Sequence, residues 1–534
     1  MLDAYTMVGS SVGNSYPEVT SLLKQQMAQG ALIMDYSGHG NETGMSHESV
    51  LMRKDFEAFT NTNLPLWVTA SCDIMPFDDN IETLGESAVL NKKGGAVAFY
   101  GTTRTVFAGY NRLINLAFMK QVLTLDGGRP VPLGEAHRLS RNYLISSGRD
   151  LTENKLQYSL LGDPALRLNL PTRKVAVDEI NGQPLTDGAP LTLKAGQKVT
   201  VKGHVCDSEG NTDTSFNGKL TATVRDTREL VTCKQNPSAE ATEKFTFYDR
   251  QKNLYNGGDN ITEGVFQFSF VVPRDINYAD GTGLINLYAV NNEHTIEGHG
   301  AEERFCLNGT EDIVNDGIGP SIYCYLNSPE FVNGGDVNTT PYFHATVTDK
   351  DGVNATGNGI GHDLELIIDG NSQTTYNLNP NFTFDFGSYT SGSTYYTIPA
   401  LPEGNHTLKF RAWDVLNNSS TAELSFNVVK GLEPYLADVN ITQNPARSST
   451  TFIVTHNYTG SNVDVEISVF DMSGRELWRH TENGTSVGST YTVDWDLTVD
   501  TGTRLQTGVY LYRVRLGSDG GSKASKAKKL IVIQ

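Results

Sequence analysis

Two residues of the 534-residue sequence, His39 and Cys72, combine the residue types and positions that nucleophilic chemistry needs. Each follows a short apolar run, ALIMDY over 31–36 and PLWVTAS over 65–71. If the two runs are neighbouring parallel strands joined by one helix, their carboxyl ends lie at the same edge of the sheet. An imidazole beside a cysteine can withdraw the thiol proton, and the thiolate is the nucleophile. The pattern therefore predicts a cysteine–histidine pair for covalent catalysis.

The glycine-flanked turn that carries His39, in the stretch YSGHGN, indicates a close approach of the backbone to a substrate. We expect the backbone amides of Gly40 and Cys72 to donate to a developing oxyanion. The alternative is a solvent-facing histidine on an ordinary turn and a buried, inert thiol. Further along the chain, in the stretch MSHESVL, His47 is expected at the surface. Glu48 beside it is either a further site residue or an acid in the first turn of a helix.

Charged residues also follow the ends of the second and third predicted strands. Arg104 ends a third apolar run, so we expect it either to line the pocket or to form a structural salt bridge. The acids after Cys72 are candidates to orient His39, bind a cation or shape the pocket, and their alternative is a solvated acidic loop; they are Asp73, Asp78, Asp79 and Glu86. Together, Arg104 and Glu86 are the candidate pocket residues.

The elements that position these residues alternate between short apolar runs and helical patterns up to about residue 171. Such alternation is typical of an α/β domain with a mostly parallel sheet covered on both faces. Strands are predicted at 31–36, 65–72 and 96–103, and helices at 17–30, 53–61, 84–95, 110–128 and 132–147.

From about residue 170, apolar and polar residues alternate and are separated by turns rich in Gly, Asn, Asp and Pro. No convincing helix lies between them, and this pattern is typical of β-sandwiches. Breaks near Thr172, Asp316 and Leu432 divide the chain into an α/β domain over 1–171 and three β-sandwiches over 172–315, 316–431 and 432–534.

Composition and charge argue against some classes of partner and against a membrane-spanning helix. The net charge of −19 disfavours nucleic acid and anionic lipid surfaces as partners. No apolar run reaches the roughly 20 residues of a membrane-spanning helix, and the first residues do not resemble a signal peptide.

Of the five cysteines, four lie in the β-rich part and are expected to pair as Cys206–Cys233 and Cys306–Cys324, although four cysteines allow three connectivities. Cys72 is then left unpaired.

The stretch YSGHGN, followed by a strand that ends in TASC, resembles the gingipain-type cysteine peptidases of the caspase-like clan. On that resemblance the histidine is His39, followed by Gly40, and the nucleophile is Cys72. The stretches SCDIMPFDD, GGAVAFYGTTRTVFAGYN and LGDPALRLNLP, with the final β-rich segment, are more similar to the cell-surface sortases of the type IX secretion system. The resemblance implies a caspase-like α/β domain that is only partial here, because some 30 residues precede the first catalytic strand. A third catalytic residue is then expected upstream.

The resemblance also implies an activity. It indicates an outer-membrane-associated peptidase that removes the C-terminal β-sandwich signal of secreted cargo through a Cys72 acyl-enzyme and transfers the cargo to lipopolysaccharide. An outer-membrane carrier barrel is the implied partner, and neither a cofactor nor a metal is implied. The alternatives are an inactive peptidase-like scaffold or adhesin, a gingipain-like hydrolytic peptidase, and a secreted cargo protein.

Overall fold

The computed structural model describes residues 8–10, 13–207, 209–233, 244–277, 281–357, 361–371, 374–432, 436–458, 462–486, 490–518 and 521–533. The chain forms two compact units, and the division between them along the sequence falls between Thr172 and Arg173. The model is rich in β-strands, and the α-helices of the described residues occur in the first unit. None of these helices is long and apolar enough to cross a membrane.

The described residues of the first unit form five α-helices and one 3-10 helix. The helices are α1 Pro17–Gln29, α2 Arg53–Ala58, α3 Leu84–Leu90, α4 Ala108–Val122 and α5 Leu133–Ser146, and the 3-10 helix is Asn154–Gln157. All five α-helices were predicted, with ends that differ by a few residues. The strands are β1 Val8–Ser10, β2 Gly13–Ser15, β3 Ile33–Ser37, β4 Gly40–Asn41, β5 Gly44–Met45, β6 Leu51–Met52, β7 Leu66–Ala70, β8 Ala98–Thr102, β9 Leu125–Asp126, β10 Arg129–Pro130 and β11 Tyr158–Leu161.

A four-stranded sheet in the order β11-β8-β7-β3 forms the centre of this unit. The strands β3, β7 and β8 are parallel, as predicted, and β11 runs antiparallel to β8 at one edge. Every residue of β7 and β8 is buried, which explains why both strands read as continuous apolar runs. Alternate side chains pack on the two faces: Val68 lies in one core cluster with residues of α4 and α5, and Trp67 in a second with residues of α1, α2 and α3.

The second unit begins with a β-rich region in which one sheet has the order β13-β12-β15-β20-β19-β16-β21-β22 and a further parallel pairing joins β12 to β22. This pairing closes the sheet into a ring, which differs from the predicted sandwich. Barrels and sandwiches share the same alternation of apolar and polar residues, so the pattern does not separate them. The strands are β12 Arg173–Ile180, β13 Gln183–Pro184, β14 Leu191–Ala195, β15 Lys198–Val205, β16 Gly218–Arg225, β17 Glu229–Thr232, β18 Thr246–Asp249, β19 Asn253–Thr262, β20 Val265–Val271, β21 Leu284–Asn291, β22 Glu297–Glu302 and β23 Phe305–Thr310.

The next region contains a four-stranded and a six-stranded sheet, and its apolar side chains form one continuous core with those of the closed sheet. Its strands are β24 Ser321–Leu326, β25 Asp336–Val337, β26 Tyr342–Thr348, β27 Val353–Asn354, β28 Glu365–Ile368, β29 Thr375–Asn377, β30 Thr383–Phe384, β31 Ser391–Thr397, β32 Gly404–Asp414 and β33 Ser419–Val428, with a 3-10 helix at Asn379–Asn381.

The last region has a separate core and two sheets of three and five strands. Its strands are β34 Leu436–Ile441, β35 Thr450–His456, β36 Asn462–Phe470, β37 Glu476–Thr485, β38 Thr490–Trp495, β39 Gly508–Ser518, β40 Gly521–Ala524 and β41 Lys528–Val532.

The predicted cysteine pairs are wrong, because all five cysteines are free thiols. Cys206 directly follows β15 in the closed sheet, whereas Cys233 follows β17, which belongs to another sheet. Cys306 in β23 and Cys324 in β24 likewise lie in different sheets. Sequence proximity suggested the pairs, but a disulfide requires Cα atoms within about 7 Å of each other.

Candidate functional site

The strand ends that carry His39 and Cys72 lie side by side. β3 and β7 pair in parallel, and their last paired residues are Ser37 and Ala70. One residue further, the Gly38 amide donates to the Ala70 carbonyl oxygen over 3.3 Å. His39 and Cys72 each follow two residues after the last pair, so both leave the sheet at the same edge and at the same level.

The backbone of His39 is held by two hydrogen bonds to its carbonyl oxygen. The Tyr36 hydroxyl donates over 2.7 Å and the Ser46 amide over 2.8 Å. Burial raises the pKa of Tyr36 to about 12, so its hydroxyl keeps the proton that it donates at neutral pH. These two hydrogen bonds hold the turn that carries the His39 imidazole.

The imidazole of His39 is exposed and stacks on that of His47, with 4.7 Å between the ring centroids and 16° between the ring planes. His47 is itself exposed, as predicted, but its contact with His39 was not foreseen. The β4–β5 hairpin reverses the direction of the backbone between His39 and His47, and this brings the two rings into contact. Glu48 lies in a turn rather than in the first turn of a helix, so that expectation is wrong.

Gly40 packs directly against the strand that carries the cysteine. A Cβ atom at Gly40 would lie 2.2 Å from the Oγ of Ser71, the residue before Cys72. Ser71 is fully buried, so this contact leaves no room for any side chain at position 40. Gly40 also pairs with Met45 in β4 and β5, and the donation of its amide to an oxyanion stays a prediction.

The Cys72 thiol is half-buried and donates to the Val106 carbonyl oxygen, with 3.4 Å between sulfur and oxygen. Its side chain packs against the core cluster that contains residues of α4 and α5. The next residue, Asp73, has a left-handed backbone with φ of 45°, and its amide donates to the Arg104 carbonyl oxygen over 3.3 Å. In this arrangement the sulfur is turned toward Val106 and is not hydrogen-bonded to His39.

The charged residues around this edge are engaged with one another and with the backbone. Arg104 forms a bidentate ion pair with Asp78, and this guanidinium lowers the pKa of the Asp78 carboxyl. Asp73 accepts a hydrogen bond from the Thr105 hydroxyl over 2.7 Å. Of the two alternatives for Arg104, the structure gives an exposed ion pair, and its place in the pocket stays a prediction.

The remaining acids serve local structure. The Glu86 carboxylate accepts from the Thr83 amide over 2.9 Å and from the Thr83 hydroxyl over 2.8 Å, which is a capping box at the start of α3. Asp79 accepts from the amide of Asn80. These contacts describe an acidic loop and a helix cap, and the roles proposed for Glu86 and Asp79 at the site stay predictions.

Sequence reasoning missed two residues that shape this edge, Tyr36 and Ser71, and it missed the contact of His47 with His39. Ser71 could be found only from the register of β3 and β7, and His47 only from the hairpin geometry.

Comparisons with known proteins give a family match over part of the chain and several similar solved structures. Residues 1–169 match the model of peptidase family C25. The chain is similar to dimeric latent PorU from Porphyromonas gingivalis, with 35% identity, 83% of this chain and 41% of that chain covered, and a TM-score of 0.35. It is also similar to the Arg-specific cysteine proteinase gingipain R, with 15% identity, coverage of 53% and 55%, and a TM-score of 0.26.

A further similar structure is the complex of the Porphyromonas gingivalis RgpB pro- and mature domains, with 16% identity, coverage of 53% and 56%, and a TM-score of 0.26. No curated protein matches the chain. The chain spans 41% of the length of PorU, 55% of that of gingipain R and 56% of that of the RgpB chain.

Proposed function

We propose that this chain, whose residues 1–169 belong to peptidase family C25, is a cysteine endopeptidase that uses Cys72 as nucleophile and His39 as general base. The gingipain-like, PorU-type resemblance predicted from the motifs is confirmed by the family match and by the 35% identity to PorU. The family match supports peptidase chemistry, and the geometry of the first unit supports the choice of residues.

One observation carries the assignment of these residues: the in-register parallel pairing of β3 and β7 up to Ser37 and Ala70. Neighbouring parallel strands lie about 4.8 Å apart, so residues at the same level beyond their ends are close neighbours. The contact of Gly40 with Ser71 continues this proximity beyond the last backbone pair. A histidine and a cysteine at one edge are the residue types that a nucleophile and its base require, and their position supports the proposal.

In the proposed reaction the Cys72 thiol leaves the Val106 carbonyl and turns toward His39. The imidazole takes the thiol proton as the sulfur attacks the scissile carbonyl carbon, and the protonated imidazole then gives the proton to the leaving amine. The Gly40 and Cys72 amides donate to the oxyanion. An open hydrogen bond between nucleophile and base is common in structures without substrate and closes when substrate binds.

The finer activity that we propose is that of a surface sortase. The acyl-enzyme on Cys72 is released either by water or by an amine acceptor, and the proposed acceptor is a lipopolysaccharide. The substrates are secreted proteins with a C-terminal β-sandwich signal, and an outer-membrane carrier barrel binds the final β-rich region at the cell surface. The caspase-like type of the parallel sheet and a sandwich architecture for the two β-rich regions after residue 316 belong to this proposal. It is supported by the resemblance of the ordered motifs and of the final β-rich segment.

The experiment is a comparison of Cys72→Ala with Cys324→Ala in the full-length protein produced in its native cells. Cys72→Ala is expected to accumulate uncleaved cargo, whereas Cys324→Ala should process cargo normally because Cys324 lies in β24, far along the chain from the strand ends. Normal processing by Cys72→Ala would refute the peptidase and favour a scaffold or adhesin. Cleaved cargo released without attachment would favour hydrolysis over transfer.

A further inference from the structure

The second unit contains an Asp–His–Cys arrangement that the proposed peptidase does not use. The carboxylate of Asp178 contacts Nδ1 of His204, with distances of 3.0 and 2.9 Å to its two oxygens. On the other side of the ring, Nε2 lies 3.5 Å from Sγ of Cys206. The three groups therefore form a chain of contacts from carboxylate to imidazole to thiol.

The local backbone explains how these residues meet. β12 and β15 pair antiparallel, and a register shift between Val177 and Glu179 leaves Asp178 as an extra residue in a bulge. Bulges redirect a side chain and are frequent next to functional sites. His204 lies near the end of β15 and Cys206 directly follows the strand, so the two residues, two positions apart, have side chains on the same side.

The hydrogen bonds fix the direction of proton transfer. An ionised carboxylate only accepts, so Nδ1 of His204 carries the proton in the contact with Asp178. In the neutral imidazole, Nε2 then has a lone pair that faces the Cys206 thiol. This is the order of groups that activates a nucleophile: the acid orients the base, and the base receives the thiol proton.

The thiol needs such a base. Cys206 is 5% exposed, and burial raises the pKa of its thiol, with Lys174 opposing the rise and Asp178 and Asp207 adding to it. A thiol with a raised pKa stays protonated at neutral pH and reacts only if a neighbouring group accepts its proton during the attack. The imidazole of His204 is that neighbour.

We propose that Cys206, His204 and Asp178 form a second reactive-thiol site that exchanges with low-molecular-weight disulfides. The Cys206 sulfur attacks one sulfur of the small disulfide, a new S–S bond forms and the old S–S bond breaks. The thiol proton passes to Nε2 of His204 and then to the departing thiolate, so a free thiol leaves and Cys206 becomes a mixed disulfide. Because Cys206 is only 5% exposed, a small disulfide is expected to reach its sulfur more readily than a polypeptide does.

The test uses the full chain in its native state and 2-hydroxyethyl disulfide, a neutral reagent, with the modification of each cysteine followed by peptide mass spectrometry. Cys324 is the internal comparison, because burial alone raises its pKa to about 11 and it is more exposed than Cys206. After each rate is divided by the rate in the urea-unfolded chain, Cys206 is expected to react at least about tenfold faster than Cys324.

The variants His204→Gln and Asp178→Asn separate base catalysis from mere shielding. We expect His204→Gln to lower the Cys206 rate by at least about tenfold, and Asp178→Asn to lower it less, with the Cys324 rate unchanged in both. Hydrogen exchange of β15 checks that the strand remains folded. The proposal is overturned if native Cys206 reacts no faster than Cys324, or if either variant leaves the Cys206 rate equal or raises it.

Discussion

A substitution at Gly40 tests whether the contact between the two strand ends positions the site. In Gly40→Ala the new methyl group would lie 2.2 Å from Ser71 Oγ, more than an ångström short of an ordinary contact of about 3.5 Å. The φ angle of Gly40 is not in the left-handed region, so the effect is steric and not conformational. Because Ser71 is short and fully buried, the turn with His39 must move away from the strand with Cys72.

Overpacking of this kind costs about 1–3 kcal/mol of unfolding free energy. A displacement of about 1 Å between reacting groups lowers a catalytic rate by about 100-fold. We therefore expect Gly40→Ala to lower the melting temperature of the first unit by several degrees and to slow the labelling of Cys72 by a peptidyl acyloxymethyl ketone by about 100-fold.

The matched second variant is Ser71→Ala, which removes the atom that the new methyl group would strike. Among the described residues the Ser71 hydroxyl has no hydrogen-bond partner, so Ser71→Ala alone is expected to change stability by less than about 0.5 kcal/mol. In the double variant the nearest atoms are the flexible end of Ile74 at 3.1 Å and the Gly44 oxygen at 3.4 Å. Both stability and labelling should recover.

Gly109→Ala is the control for the glycine itself, because its Cβ would have no atom within 4 Å. This variant should leave labelling unchanged and stabilise α4 slightly. The reasoning is refuted if Gly40→Ala labels at the normal rate, or if Ser71→Ala fails to restore the rate in the double variant while the fold recovers.

Three further predictions concern single side chains. Tyr36→Phe removes the hydroxyl that donates to the His39 carbonyl and should cost about 0.5–1.5 kcal/mol and slow Cys72 labelling, and an unchanged rate would exclude Tyr36 as a positioning residue. Burial lowers the pKa of His456 to about 4, so the stability that the neutral imidazole contributes is fully present above pH 6.5 and is lost as the pH falls toward 4. The total loss is about 3 kcal/mol. Hydrogen exchange of β35 should show this loss, and His456→Gln should remove the pH dependence. Arg104→Ala should leave the melting temperature unchanged, because the ion pair with Asp78 is exposed, and a large decrease would contradict this.

The sequence predicted the helices and parallel strands of the first unit because its buried strands read as apolar runs such as PLWVTAS. It also placed His39 and Cys72 at one edge, because parallel strands joined by one crossover have a fixed polarity. It could not predict the antiparallel strand β11, whose four residues carry no distinctive period. The pairing of β12 with β22, which closes the sheet, could not be predicted either, because the alternation of apolar and polar residues is the same in a barrel and in a sandwich.

The contacts around the site depend on geometry that residue types do not encode. His47 meets His39 only because the β4–β5 hairpin reverses the chain, and Ser71 meets Gly40 only in the observed register of β3 and β7. The thiol of Cys72 could not be oriented from the sequence either, since its bond to Val106 depends on the path of the loop before α4. The group around Cys206 likewise depends on a single bulge at Asp178.

The most direct test of the central claim is the rate at which the peptidyl acyloxymethyl ketone labels Cys72 in a Cys206→Ser background, with and without His39→Gln. If His39 takes the thiol proton, His39→Gln should slow labelling by at least about 100-fold, while melting temperature and hydrogen exchange of β3 and β7 stay unchanged. Equal labelling rates in the two proteins would show that the imidazole does not activate the thiol and would contradict the assignment of both residues.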